Sequence, residues 1–143
     1  MYQHILIPTD GSKLAEKAVT HGLSLAKSVG AKVTVIIVEE PFNWLLADGA
    51  LEQVGKYTEQ IRKLAANALN RAASAAKQAG VSCDTLQVGD AQPYKAIIET
   101  ATDRGCDLIV MASHGRSGLS AIVLGSVTNK VLTYKKTPVL VCH

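Results

Sequence analysis

Aromatic side chains are scarce in this 143-residue chain, at 4% of residues, with one tryptophan, one phenylalanine and four tyrosines. Stacking platforms for single-stranded nucleic acid need aromatics interleaved with basic residues, and here the basic residues are scattered, so nucleic acid is not expected as a partner. No segment approaches the roughly 18 uninterrupted apolar residues of a membrane helix, so no membrane association is expected. Met1 to Ile7 lacks a basic stretch followed by a long apolar run, so no secretory signal is read and a cytoplasmic location is expected. Cysteine is limited to Cys83, Cys106 and Cys142, an odd number without C-x-x-C spacing, which suits reduced thiols acting as small apolar side chains in or beside strands. Acid is missing from the last quarter: beyond Leu108 the only charged residues are Arg116, Lys130, Lys135 and Lys136. That imbalance marks a local anion site.

What is present is an alternating rhythm. Tyr2 to Ile7 is β-prone and ends at Pro8-Thr9-Asp10-Gly11-Ser12, after which Leu14, Ala15, Ala18, Val19, Gly22, Leu25, Ala26 and Val29 recur at helical spacing up to Gly30. Lys32 to Val38 is almost continuously apolar and β-branched, as in a strand covered on both faces of a parallel sheet. An irregular stretch from Glu39 to Leu51 holds Phe42 and Trp44 and is predicted to act as a flap over a ligand, the alternative being that the two aromatics pack on the sheet edge or on a dimer partner. A long alanine-rich helix follows from about Glu52 to a stop at Gly80. Then come a strand near Ser82 to Val88, a helix opened by Pro93 and closed at Gly105, a strand from Leu108 to Ala112, a helix from about Ser126 to Tyr134, and a last strand from Val139 to Cys142.

Five strands separated by four helices, without repeat or linker, predict one domain over residues 1–143, built on a doubly wound parallel α/β sheet of order 3-2-1-4-5. The winding reverses between the first and fourth strands, so a ligand crevice is expected at their carboxyl ends, Pro8-Thr9-Asp10 and Ala112-Ser113-His114-Gly115.

Glycines at 115, 118 and 125 let backbone N–H groups approach phosphate oxygens, and the helix opening at Ser126 offers unpaired N–H groups and a hydroxyl. The competing explanation is that these glycines only make turns. No Walker loop and no G-x-G-x-x-G fingerprint occurs, which argues against P-loop hydrolysis and hydride transfer. His114 beside Ser113 lacks the nucleophile elbow and oriented acid of a triad. Asp10 has two readings, a ligand-facing acceptor or the cap of the first helix.

The segments Ile5-Leu6-Ile7-Pro8-Thr9-Asp10-Gly11-Ser12, Ser113-His114-Gly115-Arg116-Ser117-Gly118-Leu119, Leu124-Gly125-Ser126-Val127 and Thr137-Pro138-Val139-Leu140-Val141 resemble the universal stress proteins along essentially the whole chain. In that family's nucleotide-binding branch the signature is G-x-x-G, nine residues, then G-[ST]; Gly115 and Gly125-Ser126 match it, while Ala112 replaces the first glycine. The resemblance implies a homodimer through Val139–Cys142 that binds ATP, or ADP or AMP, with Mg²⁺ or Mn²⁺, and serves a regulatory protein partner during stress. It implies a nucleotide site made by Pro8, Thr9, Asp10, Val38, Ala112, His114, Gly115, Arg116, Gly118, Gly125, Ser126 and Val127. Within it Asp10 would face the ribose or base, the backbone around Val38 the adenine, and Gly115, Gly118, Gly125 and Ser126 the phosphates, with Ser126 also near the metal. No water-positioning carboxylate is evident beside the loop, so any ATPase or autophosphorylating activity is expected to be slow. A dimer of the same family that binds no nucleotide is the further alternative, and Ala112 favours it.

Overall fold

The computed structural model describes residues 1–40, 51–115 and 124–143. The stretch carrying Phe42 and Trp44, and with it the expected flap, lies outside the described residues, as do Arg116 and Gly118.

Strand β1 (His4–Pro8) is buried at every position, the consequence of a run of apolar residues placed mid-sheet. Helix α1 (Lys13–Val29) starts at Ser12, whose Oγ accepts a hydrogen bond from the Ala15 amide at 3.2 Å. Ser12 is therefore the cap, and the reading of Asp10 as cap is corrected: Asp10 Oδ1 accepts from the amide of the cap residue Ser12 at 2.9 Å, ahead of the helix's own N–H groups. Gly30, at φ 73°, ends α1 and turns the chain into β2 (Lys32–Glu39). Helix α2 (Leu51–Ala79) leads to β3 (Cys83–Gly89), α3 (Pro93–Asp103) to β4 (Leu108–Ala112), and α4 (Ser126–Tyr134) to β5 (Val139–Cys142).

All strand pairs are parallel and the order is β3-β2-β1-β4-β5. Alternation along the strands divides the interior into two layers. Ile5, Ile7, Val33, Val35, Ile37, Leu108 and Val110 face α1 and the alanines Ala65, Ala68, Ala72 and Ala76 of α2. Leu6, Ile36, Ile109 and Met111 face the other way, onto Ile97 and Ala101 of α3 and Val131 of α4. Small residues let helices come close to the sheet. At Gly22 of α1 an added Cβ would sit 2.5 Å from Ile7 Cδ1 and 3.5 Å from Val110 Cγ1.

A polar cluster lies at the amino edge of the sheet, with His4 and Thr34 buried and Asp107 half-buried. His4 Nε2 lies 2.8 Å from Thr34 Oγ1 and its Nδ1 3.2 Å from the Arg104 carbonyl, while the Asp107 carboxylate accepts from the Gln3 and His4 amides. Burial, helped by Lys32, lowers the pKa of His4, which keeps the ring neutral. With Nδ1 donating to the Arg104 carbonyl, Nε2 accepts from the Thr34 hydroxyl. The cluster sits at the end of the sheet opposite the helix-opening loops and belongs to the fold.

The cysteines follow the expectation that they pack as small apolar groups. Cys83 and Cys142 are half-buried in β3 and β5, and Cys106 is buried just before β4. Burial raises the pKa of all three thiols.

Candidate functional site

Two loops leave the carboxyl edge of neighbouring central strands, and each is shaped by its own side chains. After β1 the Thr9 amide donates to the Ile36 carbonyl at 2.9 Å, Thr9 Oγ1 accepts from the Gly11 amide at 3.1 Å, and Asp10 accepts from Ser12. Gly11 has φ 79°, a left-handed conformation that costs a glycine almost nothing. This turn sets the Asp10 carboxyl beside Gly115.

After β4 the buried Ser113 ties three elements together. Its amide donates to the Cys142 carbonyl at 2.7 Å, its carbonyl accepts from the Gly125 amide at 2.7 Å, and its Oγ lies 3.1 Å from His143 Nδ1. Thr128, buried in the first turn of α4, donates its hydroxyl to the Ala112 carbonyl at 2.8 Å. The amino end of α4 is thus fixed over the end of β4. Ala112 itself is a regular strand residue paired with Cys142, and no described non-glycine residue has positive φ, so its methyl group introduces no backbone strain.

Between the loops opens a cleft of about 750 Å³, in the size range of small-molecule sites. It gathers ten of the twelve residues expected from sequence: Pro8, Thr9 and Asp10 from the first loop, Val38 from β2, and Ala112, His114, Gly115, Gly125, Ser126 and Val127 from β4 to α4. The other two, Arg116 and Gly118, lie outside the described residues. Residues not foreseen also line it: Ile36 of β2, Pro93 and Ile97 of α3, Ala15 of α1, Glu40, Leu124, and Thr128 and Asn129 of α4.

The cleft has two chemical ends. Ile36, Val38, Pro93 and Ile97 make one side apolar and suited to a flat hydrophobic group. The other side carries the first turn of α4, whose N–H groups have no intrahelical acceptors, beside the Ser126 hydroxyl and the Asn129 amide. This second side can take an anion. Carboxylates among the described lining residues are Asp10 and Glu40; no lysine or arginine is among them.

The two glycines fill a packing role as well. An added Cβ at Gly115 would overlap Asp10 Oδ2 and lie 3.3 Å from its Cγ, and one at Gly125 would lie 3.0 Å from His114 Cα. In each case the space a side chain would take is held by protein.

The chemistry of His114 is limited by its partners. Its Nδ1 lies 3.3 Å from the Gly115 carbonyl, while the hydroxyl of Ser113 is engaged by His143, so the neighbouring serine and histidine are not paired as nucleophile and base. Among the described residues no group of three or more His, Cys, Asp or Glu side chains could hold a metal. No described helix is long and apolar enough to cross a membrane.

Comparison with known proteins agrees with this architecture. The model of the universal stress protein family matches residues 1–143. Universal stress protein MJ0531 of Methanocaldococcus jannaschii is 36% identical over 143 residues, which span 99% of this chain and 82% of that protein. The solved structure of protein MJ0577 from the same organism superposes with a TM-score of 0.81 at 30% identity, covering 99% of this chain and 96% of that one. A universal stress protein solved in complex with cAMP superposes with a TM-score of 0.75 at 29% identity, covering 99% and 97%.

Proposed function

This chain belongs to the universal stress protein family, and from that premise we propose that it is a regulatory protein of the nucleotide-binding branch, holding ATP in the cleft between β1 and β4. The observation that carries the reading is the meeting of Asp10, Gly115, Gly125 and Ser126 at the switch point of the sheet, opposite the apolar wall made by Ile36, Val38, Pro93 and Ile97. The similar protein with cAMP bound supports an adenine nucleotide as the ligand class.

The base would lie along the apolar wall, the ribose near Asp10, and the phosphates on the first turn of α4, where N–H groups and the Ser126 hydroxyl are on offer. Ala112 costs little there, because its strand geometry is ordinary. The donor set fits a Mg²⁺ or Mn²⁺ ion carried in on the phosphates with few protein ligands, Ser126 foremost, and does not form a dedicated cage. Such an ion would neutralise phosphate charge. Ser113 and His114 are not paired as nucleophile and base, which supports binding over turnover and at most a slow ATPase.

Isothermal calorimetry with Mg²⁺-ATP is expected to give saturable binding, with a matching rise in the thermal midpoint. No heat and no protection at millimolar ATP would sink the reading and favour the branch that binds no nucleotide.

The same reading makes the protein a cytoplasmic homodimer that presents its surface to a regulatory partner. Strand β5 is the sheet edge, only four residues long, with Leu140 37% exposed, and an edge strand offers unpaired backbone groups to a second copy across a twofold axis. Light scattering is expected to return the dimer mass at micromolar concentration and the monomer mass for Leu140→Lys; a monomer in both contradicts the dimer.

A further inference from the structure

We propose that His4 is an acid-sensitive latch at the amino edge of the sheet: its neutral ring holds the ends of β1 and β2 and the turn between α3 and β4 together, and a proton gained at that ring releases them. His4 is 6% exposed and Thr34 is completely buried, so their contact is made out of water. The Arg104 carbonyl can only accept, so the ring nitrogen 3.2 Å from it, Nδ1, carries the hydrogen. In the neutral ring Nε2 is then a bare acceptor, and the Thr34 hydroxyl 2.8 Å away donates to it. One side chain of β1 thus bridges β2 on one side and the end of α3 on the other. The backbone closes the same seam: the Lys32 amide donates to the Gln3 carbonyl at 3.0 Å, and the Asp107 amide to the His4 carbonyl at 2.9 Å.

Acid changes this arrangement at one atom. A proton taken from solvent onto Nε2 turns that acceptor into a donor, so its hydrogen and that of Thr34 point at each other until the hydroxyl turns away. The new positive charge sits in a nearly dry place. Burial opposes it most, and Lys32 of β2 and the Arg104 guanidinium repel it, while the Arg104 carbonyl and the Asp107 carboxylate favour it; the balance holds the pKa of His4 below its ordinary value. Arg104 is itself shared with Asp84 of β3, 3.8 Å from its guanidinium. Burial raises the pKa of Asp107, but the Gln3 and His4 amides outweigh it and keep the group below its usual range, so it stays ionised where His4 titrates. The neighbouring Cys106 thiol, pushed up to about 11, stays neutral throughout. A histidine whose pKa is lowered by folding contributes its full stability above its unfolded value of about 6.5, and that stability is lost as pH falls from there through the folded value.

The first measurement needs no variant: the ring protons of His4, followed by NMR in the wild-type protein, should titrate below the value of about 6.5 of an unperturbed histidine. Amide exchange, corrected for its intrinsic pH dependence, should then locate the opening. Between about pH 7.5 and about pH 5.0, protection at Lys32 and Asp107 should fall at least about threefold more than at Thr9 and Ser113, since the first pair closes the amino edge and the second the opposite end of the sheet. In urea, the unfolding constant of the wild type should rise at least about threefold more over that interval than that of His4→Gln, or of His4→Phe combined with Thr34→Val. Neither variant can take up a proton at position 4, and the second replaces both partners of the buried contact by apolar groups. A His4 that titrates at or above about 6.5, an equal loss of protection at both ends, or parallel pH profiles in wild type and variants overturns the latch. Should neither variant fold, the titration and the exchange decide alone.

Discussion

Gly115→Val is expected to weaken ATP binding at least about tenfold, equivalent to roughly 1.4 kcal/mol, with a thermal midpoint close to that of the wild type. The expectation from sequence alone is a side chain pressed against phosphate. The geometry adds an earlier obstacle, because the first carbon of any side chain at 115 overlaps the Asp10 carboxylate. Asp10 is held by its acceptance of the Ser12 amide, so displacing its carboxylate disturbs the turn after β1 as well as the ribose end of the cleft. Fold stability is largely spared, since Gly115 and Asp10 are only half-buried and lie in loops outside the sheet. A double-mutant cycle separates the two routes. If the valine acts through Asp10, its cost shrinks in an Asp10→Ala background. Full additivity of the two losses would put the effect on the ligand directly, and wild-type affinity in Gly115→Val would remove the phosphates from this loop.

Gly22→Val is expected to have the largest effect on stability, lowering the unfolding free energy by about 3 kcal/mol or more. Helix α1 crosses the sheet at this glycine, where an added Cβ would be 2.5 Å from Ile7 Cδ1 and 3.1 Å from its Cγ1, and both Ile7 and Val110 are completely buried. Neither neighbour can retreat without disturbing the central strands. Gly22→Ala should be milder, since alanine regains about 1 kcal/mol of helix propensity against part of the same overlap. Urea denaturation of both variants, compared at equal m-values, reads the difference; stabilities within about 0.5 kcal/mol of the wild type would show that α1 does not approach β1 so closely.

The fold was legible because its signals were local and mutually consistent. Leu108 to Ala112 and Val139 to Cys142 are apolar runs of strand length bounded by turn residues, and both strands have those limits. Pro93 at the start of α3 and Ser126 at the start of α4 are helix-opening signals that hold in three dimensions. The cap of α1 was harder, because Asp10 and Ser12 are both good acceptors; the left-handed Gly11 between them decides for Ser12.

The candidate site was legible where it lies in loops and obscure where it borrows from the core. Ile36 and Ile97 carry only a core signal in the sequence, since a wall of the cleft and a buried layer use the same apolar residues. Thr128 and Asn129 look like ordinary polar residues of a helix. Their separate tasks, one fastening α4 to Ala112 and the other facing the cleft, depend on how α4 sits over β4, which no local pattern encodes.

The placement of the three cysteines bears on how such a protein could register oxidative conditions. Desolvation pushes the Cys106 thiol up to about 11 and raises the other two. That disfavours the thiolate form, the species that attacks peroxides and alkylating electrophiles. Slow chemistry at sulfur follows, and with it a protein whose cysteines are poor reporters of an oxidant.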